Sequence, residues 1–313
     1  MPMTCVLLGG GGFIGSHLSK SLLAHGFKVK ILDRPNLWRD STSTVLNSCE
    51  WVEGDFLNVD DVSKAIAGCQ IVFHLVSTTL PKGSNDNPVY DIETNVMSTL
   101  QMLEVAYKVG VKKILFASSG GTVYGVPQEV PISETHPMEP ICSYGIGKLA
   151  IEKYLHLYHV QHNLDYCILR LANPYGEGQR PTGSQGAVAV FMDRAVHNKP
   201  IEIWGDGTVI RDYIYIGDVV EAFIKAMMYS GEYRVFNIGC GQGRSLLDVI
   251  GGIETTICRS LARTHVAARA CDVPANVLDI SRAYKALDWQ PRTSFQDGLT
   301  QTWHWVLQRA REN

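Results

Sequence analysis

No apolar run in this chain of 313 residues is long enough to cross a bilayer; the longest, such as residues 5–8 and 70–76, are far too short. An excess of basic residues is lacking too. Lys and Arg number 28 against 31 Asp and Glu, a formal charge of -3, so nothing draws the chain to nucleic acid or an anionic membrane surface. No Cys-x-x-Cys pair occurs among the eight scattered cysteines, Cys5, Cys49, Cys69, Cys142, Cys167, Cys240, Cys258 and Cys271. Several lie in apolar runs, where a reduced thiol acts as a small hydrophobe, and the pattern fits a reducing cytoplasm. The first residues lack the charged and apolar segments of a secretory signal; Thr4-Cys5-Val6-Leu7-Leu8 reads as a first strand. His156, His159 and His162 recur on one helical segment with no carboxylate or cysteine to complete a ligand set, so no metal is expected. Internal repeats, low-complexity tracts and flexible linkers are also missing.

What is present is a globular composition, 45% hydrophobic and 19% charged, with length for a large core and for two domains. In the first half, short apolar runs alternate with helical periods. Strands are expected over 4–8, 28–32, 50–52, 71–75, 113–117 and 165–171, and helices over 13–25, 58–67, 89–109 and 143–162. That alternation implies right-handed crossovers and a parallel sheet with helices on both faces. The second half is less regular. Residues 174–184 read as a loop rich in Gly and Pro; strands are expected over 201–204, 213–216 and 233–238, and helices over 187–197, 217–228, 245–258, 281–287 and 295–311.

Gly9, Gly12 and Gly15 follow the first strand at Gly-x-x-Gly-x-x-Gly spacing and open a helix with Phe13 and Ile14. A pyrophosphate needs that arrangement: a tight turn, backbone close to the ligand, and the amides of a helix N-terminus. Asp33 ends the second strand, where a carboxylate grips a ribose diol. Its charge favours NAD over NADP, although Arg34 beside it is able to bind a 2′-phosphate. Asp55 and Phe56 follow the third strand, where an aspartate accepts a hydrogen bond from the adenine amino group. Further along, Tyr144 and Lys148 stand four apart on one helix face. A phenol of ordinary pKa near ~10 is a poor base at neutral pH, and an ammonium beside it favours the phenolate.

Together these residues resemble the extended short-chain dehydrogenase/reductases, and within them the NAD-dependent sugar-nucleotide epimerases and dehydratases. The resemblance runs through residues 9–15, Asp33, Gly54-Asp55, His74-Leu75, Asn95, residues 118–125, Tyr144, Lys148, residues 169–176, 204–207 and 211–218, and 279–283. It implies a Rossmann-type doubly wound parallel sheet over residues 1–173, to which about 213–238 returns. A smaller mixed α/β domain over 174–313 is implied to bind a nucleotide sugar. By position, Leu75 lines the cofactor pocket and Asn95 supports its loops. Asn173 and Arg211 are implied to hold the sugar-nucleotide pyrophosphate, Arg269 a phosphate, and Asp272 a nucleotide ribose hydroxyl.

The activity implied is 4-epimerisation of a UDP-hexose or UDP-N-acetylhexosamine with tightly bound NAD, Tyr144 being the base and Lys148 its partner. A related reading is a 4-keto-6-deoxy-sugar reductase using NAD(P)H; one of another class is a non-catalytic NAD-binding sensor. Two departures matter. The Ser or Thr that usually binds the reacting hydroxyl is Gly120 here, so Thr122 or Ser119 is expected to take that part. The Thr-Asp-Glu arrangement of the 4,6-dehydratases is absent. Asn276 stands where related 4-epimerases gate the sugar 2-substituent, and its moderate size implies room for an N-acetyl group. Homodimerisation through helices 89–109 and 143–162 is also implied.

Overall fold

Residues 5–8 are fully buried although they form one strand, which requires helices on both sides of the sheet. The computed structural model describes residues 3–35, 44–181, 186–267 and 273–312, and it has this architecture. The first half runs β1 (Thr4–Leu8), α1 (Phe13–Ala24), β2 (Lys28–Asp33), β3 (Glu50–Glu53), α2 (Val59–Ile66) and β4 (Ile71–His74). It continues with short α3 (Pro81–Ser84) and α4 (Pro88–Asp91), a π-helical stretch (Ile92–Met97), α5 (Ser98–Val109), β5 (Lys113–Ser119), α6 (Ser143–His162) and β6 (Asp165–Leu171). The second half comprises β7 (Asn173–Tyr175), α7 (Ala187–Val196), β8 (Ile201–Trp204), β9 (Ile210–Tyr215), α8 (Ile216–Met228) and β10 (Val235–Ile238). It ends with β11 (Gly243–Ser245), α9 (Leu246–Ile257), β12 (Arg263–Val266), β13 (Ala275–Asn276), α10 (Ser281–Leu287) and α11 (Phe295–Glu312).

Seven strands form one parallel sheet in the order β10-β6-β5-β4-β1-β2-β3. Side chains alternate across it. Cys5 and Leu7 enter a core shared with Leu18, Leu22, Val219 and Phe223 of α1 and α8. Val6 and Leu8 face the opposite core, with Val62, Met102 and Ile151 of α2, α5 and α6. The chain reverses its winding between β1 and β4, and the crevice at the carboxyl ends of these strands is where such sheets bind ligands. The smaller lobe is built on β9, which pairs with β7, β11 and β13. Its own core gathers Phe191, Met192, Ile250 and Leu299.

Several expected elements differ. The helix expected over 89–109 is broken by the π-helical stretch Ile92–Met97. There the Asn95 amide donates to Asp91 O, Thr94 Oγ1 to Tyr90 O and Thr99 Oγ1 to Asn95 O, so side chains take carbonyls that backbone amides would otherwise use. The expected loop from 174 begins as strand β7, because Asn173–Tyr175 pairs with Tyr213–Tyr215. The strand expected over 213–216 spans Ile210–Tyr215, and Ile216 opens the following helix.

Asp212 fastens the smaller lobe to the end of the large sheet. Its fully buried carboxylate accepts the amides of Cys240 (2.6 Å), Gly241 (3.1 Å) and Leu278 (3.3 Å). Asp212→Ala would leave three amides unpaired, that of Leu278 buried and those of Cys240 and Gly241 half-buried, a buried one being worth about 1–3 kcal/mol. Urea unfolding of this variant is expected to show a stability loss of at least ~3 kcal/mol with little change in slope.

Candidate active site

The glycine loop lies at the carboxyl end of β1 and meets the chain after β4. A Cβ on Gly9, whose φ is +83°, would lie 3.1 Å from Val76 Cγ2. A Cβ on Gly15 would lie 2.6 Å from Gly10 Cα, a backbone collision that only glycine avoids. Gly12 caps α1 with no side-chain hydrogen bond, and the first turn carries no acidic residue. The amides of that turn, those of Phe13 and Ile14 included, are therefore offered to an anion. Asp33 Oδ2 accepts the Gly11 amide (2.8 Å) and Oδ1 the Arg34 amide (3.0 Å), leaving further acceptor capacity on both oxygens. Burial pushes its carboxyl pKa up, against the two amide bonds and the charges of Arg34 and Arg180.

Around this cradle the expected residues divide. Asp55 Oδ1 accepts the Leu57 amide (3.0 Å), while the Phe56 ring is a core group 5.0 Å from the His74 ring. Leu75 is half-buried, and its amide donates to Leu8 O beside the loop. Asn95 joins the chain after β4 to the π-helical stretch: it accepts the Thr78 amide (3.0 Å) and donates to Thr78 Oγ1 (2.8 Å) and Asp91 Oδ1 (3.0 Å).

Tyr144 and Lys148 project from the first turns of α6. The amides of Ser143 and Tyr144 are met by Asn85 Oδ1 (2.9 Å) and Ser84 Oγ (3.0 Å). The Ser143 hydroxyl donates to Asp91 Oδ2 (2.7 Å). Lys148 Nζ donates to Ala117 O (2.9 Å) and lies 4.7 Å from the Phe116 ring centre and 5.5 Å from that of Tyr144. Burial pushes the lysine down to about 8, opposed by Glu152 and then Asp91. The phenol does not follow the expectation of a lowered pKa. Burial pushes Tyr144 up to about 12, and the Cys142 and Asp91 charges add to this against a hydrogen bond with Ser77. Helix spacing brings the pair together; desolvation sets the acidity.

The structure explains Gly120. A Cβ there would lie 2.6 Å from Leu278 Cδ1 and 3.2 Å from Arg170 O, so the usual hydroxyl position is filled by a neighbour. Thr122 Oγ1 is buried without a hydrogen-bond partner. Thr122 O backs directly on Gly145, where a Cβ would lie 2.8 Å from it, so this hydroxyl belongs to the neighbourhood of Tyr144. Ser119, half-buried, ends β5. Asn276 is 1% exposed; its amide donates to Gly120 O (3.1 Å), and its Oδ1 has no partner.

Asn173 on β7 is half-buried and lies opposite Tyr213 of β9. Arg211 on β9 donates to Val273 O (2.8 Å). Arg269 and Asp272 lie outside the described residues, between Val266 and Val273. The three histidines of α6 are dispersed: His156 meets Tyr166, His159 the Leu164 carbonyl, and His162 stacks on Tyr107. Among the described residues no group of three or more His, Cys, Asp or Glu is placed to hold a metal. Sequence reasoning missed Asp91, Glu152 and Arg170. The spacing of Asp91 to Asn95 and of Lys148 to Glu152, one helical turn each, was the available signal.

Residues 5–239 match the family model described as the NAD dependent epimerase/dehydratase family. The chain is 34% identical to a putative UDP-glucose 4-epimerase of Methanocaldococcus jannaschii, over 98% of this chain and 99% of the relative. It is 33% identical to a dTDP-4-dehydro-6-deoxyglucose reductase of Escherichia coli, over 94% of each. The structure of UDP-glucose 4-epimerase from Thermotoga maritima with UDP-glucose superposes with a TM-score of 0.93 at 32% identity, covering 98% of this chain and 100% of that one. NAD is the cofactor of this family, and the side-chain-free cradle, the open first turn of α1 and Asp33 fit it.

The Gly120 contact yields a paired test. Gly120→Ser is expected to cost about 1–3 kcal/mol through overpacking on Leu278. Leu278→Ala alone is expected to cost about 2–5 kcal/mol through the cavity it leaves. The double variant is expected to be less destabilised than the sum of the two single variants, and thermal unfolding of all three measures that coupling.

Proposed function

The chain belongs to the NAD dependent epimerase/dehydratase family, and from that premise we propose that it is an NAD-dependent UDP-sugar 4-epimerase. The observation that carries the reading is the Tyr144–Lys148 pair on α6, with the orphaned Thr122 hydroxyl beside the same helix. Tyr144, as phenolate, takes the proton of the sugar C4 hydroxyl and later returns it to the same oxygen. Burial pushes the Tyr144 phenol up to about 12, so the phenolate depends on the Lys148 ammonium, 5.5 Å from the ring centre, and on the positive ring of bound NAD, both of which would favour it. Thr122 is the group we assign to hydrogen-bond the reacting hydroxyl; Ser119 is the neighbouring alternative. NAD, when bound, supplies a positively charged ring that accepts the C4 hydride and gives it back, so no net redox occurs. Asn173 and Arg211, with Arg269 and Asp272, hold the nucleotide while the 4-keto sugar turns over. Binding energy remote from C4 thus retains the intermediate.

UDP-glucose and UDP-galactose are the expected substrates. Asn276 extends the reading to UDP-N-acetylhexosamines: it is no bulky aromatic, and its amide nitrogen is occupied by Gly120 O. The identity to the reductase of Escherichia coli favours one second reading, an NAD(P)H-dependent 4-keto-6-deoxy-sugar reductase. The scattered cysteines, of which all seven described are free, support a cytoplasmic enzyme. No described helix is long and apolar enough to cross a membrane.

We further propose a homodimer formed by α5 and α6. Ile146, Tyr154, Leu157 and Val160 leave an apolar stripe on α6 that is 53%, 37%, 39% and 66% exposed, and Tyr107 and Val109 on α5, with Met97 just before it, are exposed too. A Leu157→Glu, Val160→Glu double variant is expected to sediment as a monomer where the unaltered chain sediments as a dimer.

The decisive assay incubates the enzyme with UDP-glucose or UDP-N-acetylglucosamine without added reductant and separates the epimers. Conversion to the galacto form is expected, with Tyr144→Phe reducing turnover about 10²–10⁴-fold and Thr122→Val about tenfold. If neither sugar converts while a nucleotide 4-keto-6-deoxy sugar drives NAD(P)H consumption, the enzyme is a reductase. A Tyr144→Phe variant that kept its full biological role would favour the sensor.

A further inference from the structure

Beneath the catalytic pair lies a buried carboxylate that the mechanism above does not use. Glu152 stands one helical turn beyond Lys148 and is 4% exposed. Its Oε1 accepts the Ser118 hydroxyl (2.5 Å) and Arg170 Nε (3.1 Å), and its Oε2 accepts Arg170 Nη2 (2.6 Å). Ser118 follows Ala117, whose carbonyl accepts Lys148 Nζ, and precedes the turn 119–122 that carries Thr122. One carboxylate therefore ties the helix of Tyr144 and Lys148 to the strand end that leads to Thr122.

Charge gives a second argument. The groups facing Lys148 are Asp91 at the end of α4, Tyr144 and Glu152 on α6, and His74 on β4. His74 supplies no negative charge, and burial and Lys148 push its pKa down to about 3. Glu152 and Asp91 supply the negative charge that offsets the desolvation of the ammonium, beside its hydrogen bond to Ala117 O. A buried ion pair such as Glu152–Arg170 adds little net stability over apolar packing, so stability is a weak account of it.

We propose that Glu152 is a positioning residue of the reaction, clamping α6 to the carboxyl end of β5 and setting a carboxylate one helical turn from the Lys148 ammonium. The proposal rests on reading Tyr144 and Lys148 as the catalytic pair.

The test is Glu152→Gln in the full chain, which keeps size and removes charge. Lysines labelled with ¹³C at Cε are titrated by NMR, and Lys148→Met assigns the Lys148 signal. The Lys148 midpoint is expected to fall by about one pH unit. In the epimerase assay the alkaline limb of kcat moves down with it; kcat falls about twofold at pH 7 and about tenfold near pH 9, while KM stays within about twofold. A purely structural role would lower melting temperature and activity alike at every pH and leave the Lys148 midpoint in place. A folded variant with an unmoved midpoint overturns the proposal. The titration needs no substrate, so failure of the unaltered enzyme to epimerise any UDP-sugar would count against the proposed function alone. If Glu152→Gln does not fold, Ser118→Ala decides. A severalfold fall in kcat at constant KM supports the clamp, and unaltered kcat overturns it.

Discussion

One buried cation organises the middle of this enzyme. An ammonium taken out of water demands negative charge nearby, and Lys148 finds it in Glu152 and Asp91. Each carboxylate in turn needs donors. Asp91 draws the hydroxyls of Thr79 and Ser143 and the amide of Asn95. Glu152 draws Ser118 and Arg170. Arg170 then reaches the Tyr124 hydroxyl (2.9 Å), which donates to Asn237 Oδ1 (2.6 Å) on β10. The polar system thus extends from the π-helical stretch across the sheet to its edge, and almost every member is satisfied. Such systems specify one arrangement because partial satisfaction is costly.

The large sheet was legible because its strands are local statements. Residues 5–8 and 71–73 are apolar without interruption, and a strand buried on both faces is their simplest reading. The glycine loop, Asp33, Tyr144 and Lys148 were legible for the same reason: their chemistry depends on spacing within one segment. The rest depends on partners distant in sequence. Strands β11 and β13 exist because β9 offers them an edge, and neither three nor two residues announce a strand alone. Gly120 is explained by Leu278, and Asn276 by the Gly120 carbonyl. The acidity of Tyr144 was misjudged because helical spacing gives proximity to a lysine but not the degree of burial.

The proposed reaction asks for rigidity at one end of the ligand and freedom at the other. Asn173 and Arg211 lie on neighbouring strands, β7 and β9, and Asp212 binds β9 through three backbone amides to the loop after β10 and the segment after β13. A pyrophosphate held there rests on a backbone that cannot yield without exposing those amides to loss. At the reacting end, Gly120 and Gly121 carry no side chain, and Leu278 takes the volume that a hydroxyl on Gly120 would occupy. A sugar that must present both faces to one hydride carrier is better served by few fixed hydrogen bonds. The unpartnered Thr122 hydroxyl, with Tyr144, meets that requirement. In the proposed reaction the hydroxyl that Gly120 lacks is supplied by Thr122, and binding energy on the phosphates, remote from C4, retains the intermediate.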